Sequence, residues 1–190
     1  MTRAVNISRI AGFTLVELLV ALAIAAILAT LASPMLTGFL ARSQMNAVAN
    51  DLTGALQLAR MEAVSRNTCV LICRRAVSGA AQCEGRDGAW TSGWIVYENP
   101  ACELSVAATD PPAGTTLRIR EAVPPSITLN GVDGDAPSVI GFTPRGVTLG
   151  NSNGRMALND ARFADTSHTR YVVLARGGRV ITRAPGDADD

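Results

Sequence analysis

One uninterrupted apolar segment near the start of the chain constrains its fold more than any other feature. Residues 13–32 contain a single charged side chain, Glu17, and eleven of the twenty are Phe, Leu, Val or Ile. As an α-helix the segment would cover roughly 30 Å, the thickness of a bilayer's hydrocarbon core. Its apolar side chains favour insertion by about 3 to 7 kcal/mol, whereas one central carboxylate costs about 2.5 to 3.5 kcal/mol. The sequence therefore predicts a transmembrane helix.

The charges on either side of this segment predict its orientation. Arg3 and Arg9 precede it, and the next basic residue is Arg42. Because positive residues stay on the cytoplasmic side, the N-terminus is expected in the cytoplasm and the rest of the chain beyond the membrane. A secretory signal peptide is the alternative, but its apolar core would be shorter and followed by a small-residue cleavage site.

The next segment has the pattern of an amphipathic helix. Pro34 is expected to kink or loosen the helix, since it removes one backbone donor and clashes with the preceding turn. Beyond it, apolar side chains recur at three- and four-residue spacing, and polar ones mostly occupy the other faces. The apolar positions are Met45, Val48, Leu52, Leu56, Ala59 and Ala63. We expect the helix to end near residues 66–67.

The remainder is a series of short β-rich runs separated by Gly, Pro, Asn and Asp, which predicts strands joined by turns. The runs are 69–73, 94–97, 117–120, 127–129, 139–142, 156–158 and 171–174. Residues 176–179 (Arg-Gly-Gly-Arg) favour a hairpin with a two-residue loop. Residues 105–114 are expected to form an exposed loop, and 185–190 to fray.

The junction before the apolar segment resembles the type IV prepilin motif. The resemblance is carried by Gly12-Phe13-Thr14-Leu15-Val16-Glu17 after a short basic leader. It implies that a prepilin peptidase cuts after Gly12 and methylates the new amine of Phe13. It also implies that Glu17 pairs with the amine of a neighbouring subunit, an interaction strengthened by the low dielectric of lipid. Alternatively, Glu17 pairs with its own amine or reaches towards the membrane surface.

Four later segments resemble the GspH/FimT family of minor pilins and minor pseudopilins. They are Gln57-Leu58-Ala59-Arg60-x-Glu62-Ala63, Trp90 with Gly93-Trp94-Ile95-Val96, Phe142-x-x-x-Gly146, and Gly178-Arg179-Val180. The resemblance implies an α+β, pilin-like fold, in which a long N-terminal helix packs on an antiparallel β-sheet domain. Trp90, Trp94 and Phe142 are expected to be core aromatics.

These observations divide the chain into five segments. They are a cleaved leader (1–12), a transmembrane helix half (13–33), an amphipathic helix half (34–67), a periplasmic β-rich domain (68–184) and a flexible tail (185–190). The bacterial inner membrane is the expected location, with the C-terminal domain in the periplasm.

Cysteines in that compartment are expected to form disulfides. Cys69 and Cys73 lie about 13 Å apart if they share a strand, which is too far for a bridge. We therefore favour Cys73–Cys83 across a hairpin, with Cys69–Cys102 as the second bridge. Metal binding is the rival interpretation, but no Cys-x-x-Cys pair or nearby histidine supports it.

No pattern predicts catalysis, a cofactor or a metal. His168 lies in a Ser/Thr-rich segment and is expected in a solvated turn. Asp133-Gly134-Asp135 lacks the rest of a calcium loop and indicates a turn. Nucleotide-binding glycine motifs are missing from the sequence. We therefore predict a protein without enzymatic activity.

The arginines near the C-terminus raise the alternative of DNA binding. Arg170, Arg176, Arg179 and Arg183 gather around the last hairpin, and some FimT-type minor pilins are understood to bind DNA through C-terminal arginines in a Gly-Arg-x-Arg-like setting. Here the second arginine is displaced by two positions, and an acidic tail follows. The formal net charge of +1 also lacks the footprint of a dedicated nucleic-acid binder. The competing interpretation is a solvated strand edge.

The sequence thus predicts a structural subunit that helps initiate or cap a type IV pilus or a type II secretion pseudopilus. Its expected partners are other major or minor pilin or pseudopilin subunits, the prepilin peptidase and the inner membrane, with DNA as the alternative partner. The motifs are common to both filament systems and do not distinguish them.

Overall fold

The computed structural model describes residues 13–76, 81–84, 89–104, 114–132, 137–150, 152–163 and 168–187, except for the side chains of 31–35. The described residues form one long helix, a short 3-10 turn and eight strands. In chain order they are α1 (Leu15–Arg66), β1 (Val70–Arg74), the 3-10 turn (Trp90–Ser92), β2 (Trp94–Glu98), β3 (Thr116–Arg120), β4 (Ile127–Gly131), β5 (Val139–Phe142), β6 (Gly154–Asp160), β7 (Arg170–Leu174) and β8 (Val180–Arg183). The chain divides into two compact units between Leu40 and Ala41. The five predicted segment limits stay predictions.

Helix α1 ends where the sequence predicts, because its last turn is capped by a left-handed residue. Asn67 has a φ of 51°, which asparagine tolerates better than most side chains. The amide of Asn67 donates to the carbonyl of Val64, and the amide of Thr68 donates to the carbonyl of Ala63. This pair of bonds is the Schellman motif, and it turns the chain into β1.

The first sheet has the strand order β3-β2-β1-β5, and all its neighbours are antiparallel. Every residue of β1 is buried. One face carries Val70 and Ile72, which pack on α1, and the other carries Leu71 and the flanking cysteines. Because both faces are covered, the β1 sequence is a continuous apolar run and does not alternate.

The second sheet has the order β4-β6-β7-β8 and is also antiparallel. Its strands alternate, as expected when one face packs on the core and the other meets water. In β7, Val172 and Leu174 are buried, whereas Tyr171 and Val173 are half-buried on the outer face. The guanidinium of Arg155 lies 5.4 Å from the ring centre of Tyr171 on that face.

The main core lies between α1 from Met45 onward and the inner faces of the two sheets. The helix contributes small and aliphatic side chains at the spacing that the sequence predicts, which lets the strands approach closely. Fully buried members are Leu52, Leu56, Ala59, Ala63, Ile72, Trp90, Trp94, Val96, Ile140, Phe142, Leu158 and Val172. The three predicted core aromatics are therefore confirmed.

Two disulfides hold segments against the outer face of the first sheet. They join Cys69 to Cys102 and Cys73 to Cys83, with Cα–Cα distances of 5.3 and 5.6 Å. These are the pairs that the sequence analysis favours. Around them a second cluster buries Leu71, Ile95, Tyr97 and Val139, and Leu104 and Leu149 pack against it. The outer cluster is small, and the two disulfides hold part of the chain that covers it.

The hairpin between β7 and β8 exists, but the predicted two-residue loop is wrong. The amide of Ala175 donates to the carbonyl of Arg179, and the amide of Gly178 donates to the carbonyl of Ala175, both at 2.9 Å. Three residues, 176–178, therefore form the loop, and Gly178 provides the positive φ of 78° that such a loop needs.

Several predicted features lie outside the described residues. They are the leader with Gly12, most of the 105–114 loop, the Asp133–Asp135 turn and the last three residues of the tail.

Candidate assembly sites

The first turn of α1 is built by a side-chain cap on Thr14. The amide of Glu17 donates to Oγ1 of Thr14 at 3.2 Å, and the amide of Leu18 donates to the carbonyl of Thr14 at 3.1 Å. Thr14 is therefore the N-cap, and Glu17 is the third helical residue, which is the spacing of a capping box with only the Thr14 half of its hydrogen bonds formed. The sequence analysis missed this role, although the Thr-x-x-Glu spacing could have indicated it. A carboxylate in this turn also suits the positive end of the helix dipole.

The Glu17 carboxylate has no interaction partner within the described part of the chain. It is exposed, and it forms no hydrogen bond or ion pair there. Phe13 is 80% exposed. Cleavage after Gly12, methylation of Phe13 and inter-subunit pairing of Glu17 stay predictions.

The helix surface that follows Glu17 is apolar and uncovered. All large apolar side chains between Phe13 and Leu28 are more than half exposed. A search of the described residues finds no helix long and apolar enough to cross a membrane. Helix α1 continues through Pro34, whose side chain lies outside the description, so the predicted kink stays a prediction.

A second feature centres on Arg60, which lies near the C-terminal end of α1. Its Nε donates to the carbonyl of Gly146 at 2.8 Å, and its Nη2 donates to the carbonyl of Gly177 at 3.4 Å. Gly146 belongs to the turn after β5, and Gly177 belongs to the β7–β8 loop. One guanidinium therefore joins the helix to turns that belong to both sheets. We call this set of contacts the Arg60 junction.

Two glycines at the Arg60 junction are required by the close packing of these turns. A Cβ at Gly178 would lie 2.1 Å from the carbonyl oxygen of Gly146, and the φ of Gly178 is +78°. A Cβ at Gly146, with φ +72°, would lie 3.2 Å from both Arg60 and Val64. The three residues of the Arg60 junction, Arg60, Gly146 and Gly178, come from three of the four segments that carry the GspH/FimT resemblance. The structure brings those three segments into contact.

An apolar groove opens beside the junction, between α1 and the start of β8. Its volume is about 620 Å³. Met61 and Val64 form its helix wall and are 62% and 53% exposed. Gly178, Arg179 and Val180 form the opposite wall. We call this feature the hairpin groove.

The four C-terminal arginines, which the sequence analysis grouped around the last hairpin, lie at its two ends. Arg176 and Arg179 lie at the loop end of the hairpin, whereas Arg170 and Arg183 lie at its other end, about 13 Å away along the strands. Nε of Arg170 donates to Oδ1 of Asn46 on α1 at 2.9 Å. The separation of Arg179 from Arg183 could have been read from the sequence, because four residues of a strand span about 13 Å.

The expectation of a solvated turn at His168 is wrong. The residue is buried, and its ring stacks on Phe163 with 3.9 Å between centroids and 12° between planes.

Nearby, Asp160 at the end of β6 accepts hydrogen bonds from Arg162, whose Nη2 also donates to Oε1 of Gln44 on α1 at 3.0 Å. The hydrogen bond from Arg162 lowers the pKa of the Asp160 carboxyl. This arrangement ties the end of β6 to the helix.

No three His, Cys, Asp or Glu side chains come together as a metal site in the parts of the chain that the structure covers. Burial raises the pKa of Tyr97 to about 12, and this residue lies beneath the loops of the first sheet. Neither Tyr97 nor Asp160 opens into the hairpin groove.

Comparison with known protein families gives two matches along the chain. The profile of type II transport protein GspH matches residues 48–178. The prokaryotic N-terminal methylation motif matches residues 7–33, which include Gly12, Phe13 and Glu17. A search of curated proteins returns no match.

Solved structures show the same architecture. The type IV minor pilin FimU of Pseudomonas aeruginosa is 19% identical, with a TM-score of 0.55, over 76% of this chain and 95% of that one. A second crystal form of FimU gives 21% identity and a TM-score of 0.53 over 74% and 97%. The minor pseudopilin EpsH of Vibrio cholerae is 14% identical, with a TM-score of 0.49, over 76% and 99%. The likeness to FimU confirms the predicted α+β class, with a long helix packed on antiparallel sheets.

Proposed function

Because the chain belongs to the GspH family, we propose that it is a minor pilin or pseudopilin, a structural subunit that helps initiate or cap assembly of a filament. The mechanism is packing. Apolar N-terminal helices bundle together, and the β-rich domain lies outside them and determines which neighbours fit. In this proposal the subunit has no enzymatic activity.

The observation that carries the proposal is the start of α1. The methylation motif covers Gly12, Phe13 and Glu17, and the Thr14 cap fixes the backbone of Glu17 in the first turn, while its carboxylate has no partner in the described residues. The apolar side chains that follow are uncovered. Neighbouring helices would cover these side chains, and a neighbour's methylated Phe13 amine would pair with Glu17. Such a pair is far stronger in lipid than in water.

In this proposal the precursor sits in the bacterial inner membrane, with its N-terminus in the cytoplasm, and a prepilin peptidase removes residues 1–12. The domain then faces the periplasm, a compartment in which disulfides such as Cys69–Cys102 and Cys73–Cys83 persist. The same design serves a type IV pilus and a type II secretion pseudopilus. The companion subunits encoded beside the gene distinguish the two.

DNA binding, the alternative, gains no support from the described geometry. Arg170 and Arg183 are separated from Arg176 and Arg179 along the hairpin. The chain carries a formal net charge of only +1.

The test replaces Glu17 by alanine in the full chain and compares filament and membrane fractions by immunoblot. We expect Glu17→Ala to lower the filament fraction at least about tenfold, because removing one partner of a buried ion pair costs on the order of 3 to 5 kcal/mol. Glu103→Ala, which removes an exposed carboxylate from the domain, is the matched control and should leave incorporation unchanged.

Mass spectrometry of the native protein supplies the second readout. The mature chain should begin at Phe13 and carry one added methyl group. Wild-type incorporation of Glu17→Ala would refute the pairing. A retained leader of residues 1–12 would refute the assignment as a whole.

A further inference from the structure

The hairpin groove has the form of a preorganised docking site. Its walls are fixed by the Arg60 junction, since Arg60 binds the carbonyls of Gly146 and Gly177 and Gly178 packs against Gly146. A site held in shape before binding loses less conformational entropy when a partner arrives. The groove is therefore not a gap left by loose packing of the hairpin.

The groove surface is apolar and uncovered where a neighbour could reach it. Met61 and Val64 are more than half exposed on the helix wall, and Val180 is half-buried on the other. A volume of about 620 Å³ accommodates several side chains. Large apolar side chains grouped around a concave surface indicate a binding site more strongly than the same side chains scattered singly.

The charged side chains that line the groove, among the described residues, are Arg60 and Arg179. Arg145 and Arg176 directly precede Gly146 and Gly177, the two glycines whose carbonyls Arg60 binds. Within the described residues, the side chains of Arg145, Arg176 and Arg179 form no ion pair. None of the described residues that line the groove is acidic. Elsewhere in the domain the opposite arrangement recurs, since arginines pair with acids at Arg66–Glu98, Arg75–Glu121, Arg120–Asp51 and Arg162–Asp160.

From this combination we propose that the hairpin groove docks an acidic segment of a neighbouring pilin-class subunit. The partner inserts an apolar side chain between Met61 and Val180, and its carboxylates face Arg145, Arg176 and Arg179. The inference rests on the proposed function, because it names a contact through which the subunit is recruited. Complementary charge of this kind determines partner choice and association rate more than affinity.

The groove chemistry favours a protein partner over a nucleic acid. Proteins that bind single-stranded nucleic acid stack bases on aromatic side chains, and none of the groove-lining residues that the structure describes is aromatic. The apolar walls at Met61 and Val64 offer nothing to a phosphate. An acidic protein segment with one apolar side chain uses both the walls and the arginines.

The experiment places the photocrosslinker benzoylphenylalanine at Met61 of the full chain, expressed in its native cells, and identifies cross-linked peptides by mass spectrometry. The matched control places it at Asn50, an exposed position on the same helix about 16 Å away. We expect Met61 to cross-link to a segment of another pilin-class subunit with Asp or Glu within a few residues of the adduct. Asn50 should not reach that segment.

Charge reversal then tests the arginines. Arg179→Glu should lower the yield of the Met61 adduct about tenfold, whereas Arg179→Lys should retain most of it. Arg118→Glu makes the same charge change at an exposed position in β3 of the first sheet and should leave the yield unchanged. An adduct with a second copy of this chain, an adduct with nucleic acid, no adduct, or an equal yield with Arg179→Glu would each overturn the inference.

Filament content separates this inference from the proposed function. Met61→Asp should reduce incorporation, while Asn50→Asp should not. If Glu17→Ala abolishes incorporation but Met61→Asp and Arg179→Glu enter filaments at wild-type levels, the docking inference is wrong and the proposed function stands. If the native chain retains residues 1–12, the proposed function fails, and the Met61 adduct still decides whether the groove binds an acidic subunit.

Discussion

The two sheets of the domain differ in how many of their faces are covered. In the first sheet both faces of β1 and most of β2 are buried, and Ile95 on the outer face is fully enclosed, although Ile119 on the edge strand β3 is 43% exposed. In the second sheet the large buried side chains lie on the inner face, and Ile181 on its outer face is half-exposed. Antiparallel sheets commonly leave one face in water. The first sheet departs from that pattern because loops lie over its outer face.

The comparison shows where the disulfides are needed. The outer cluster of the first sheet contains only a few large side chains, among them Leu71, Ile95 and Tyr97. Such a small apolar surface supplies little energy for ordering the loops above it, since fixing each loop residue costs about 1 to 2 kcal/mol of conformational entropy. Both disulfides lie in this cluster. The second sheet has no such loops over its described outer face and no disulfide there.

The largest expected effect comes from removing the Cys69–Cys102 bridge. Replacing both cysteines by serine should lower the free energy of unfolding by about 4 kcal/mol, against about 3 kcal/mol for Cys73 and Cys83. The difference follows from sequence separations of 33 and 10 residues, since the entropy of the open chain grows with loop length. Urea denaturation of the compact unit from Ala41 to Asp190 measures both values. Equal losses would mean that loop length does not determine the contribution.

A matched pair of isoleucine substitutions tests how well the outer face of each sheet is covered. Ile95→Ala on the outer face of the first sheet should cost about 3 kcal/mol, because it opens a cavity in an enclosed cluster. Ile181→Ala on the outer face of the second sheet should cost about 1 kcal/mol or less, because water already reaches that side chain. The same denaturation experiment compares them. Similar losses would show that the outer face of the second sheet is covered in solution.

A smaller effect than the loss of either disulfide or of the Ile95 side chain is a loss of stability in alkali that comes from the first sheet. Burial raises the pKa of Tyr97 to about 12, above its usual value of about 10, because the phenolate is disfavoured beneath the loops. A raised pKa gives stability that is complete below pH 10 and is lost as the pH rises towards 12. The loss should reach about 1.4 kcal/mol at pH 11. Unfolding measured between pH 9 and 11 should show it, and Tyr97→Phe should remove this part of the decline.

Much of the fold could be predicted because local patterns match local structure. The end of α1 near Arg66, the seven apolar runs that became β1 to β7 and the packing of Trp94 on the helix all follow from spacing and composition. One distance excluded a bridge between Cys69 and Cys73, and a hairpin between Cys73 and Cys83 favoured the pairing that the structure shows. Each of these inferences needs only the geometry of one element or one pair.

The features that were missed depend on contacts between distant segments. Arg60 belongs to the polar side of the helix by periodicity, and nothing local indicates that it binds the turns at Gly146 and Gly177. His168 lies among polar residues in sequence, yet Phe163 buries it. The N-cap at Thr14 is different, because the Thr-x-x-Glu spacing that indicates it is visible in the sequence.

The two bridges are nested along the chain, since Cys73 and Cys83 lie between Cys69 and Cys102. Either ring can therefore close first without threading one through the other. The alternative pairing of Cys69 with Cys83 would make the rings overlap. Extra residues between Cys73 and Cys83 would lengthen only the inner ring, and each doubling of a ring costs only about 0.6 kcal/mol. The inner segment could therefore change in length while the attachment points at Cys69, beside β1, and Cys73, within it, stay where they are.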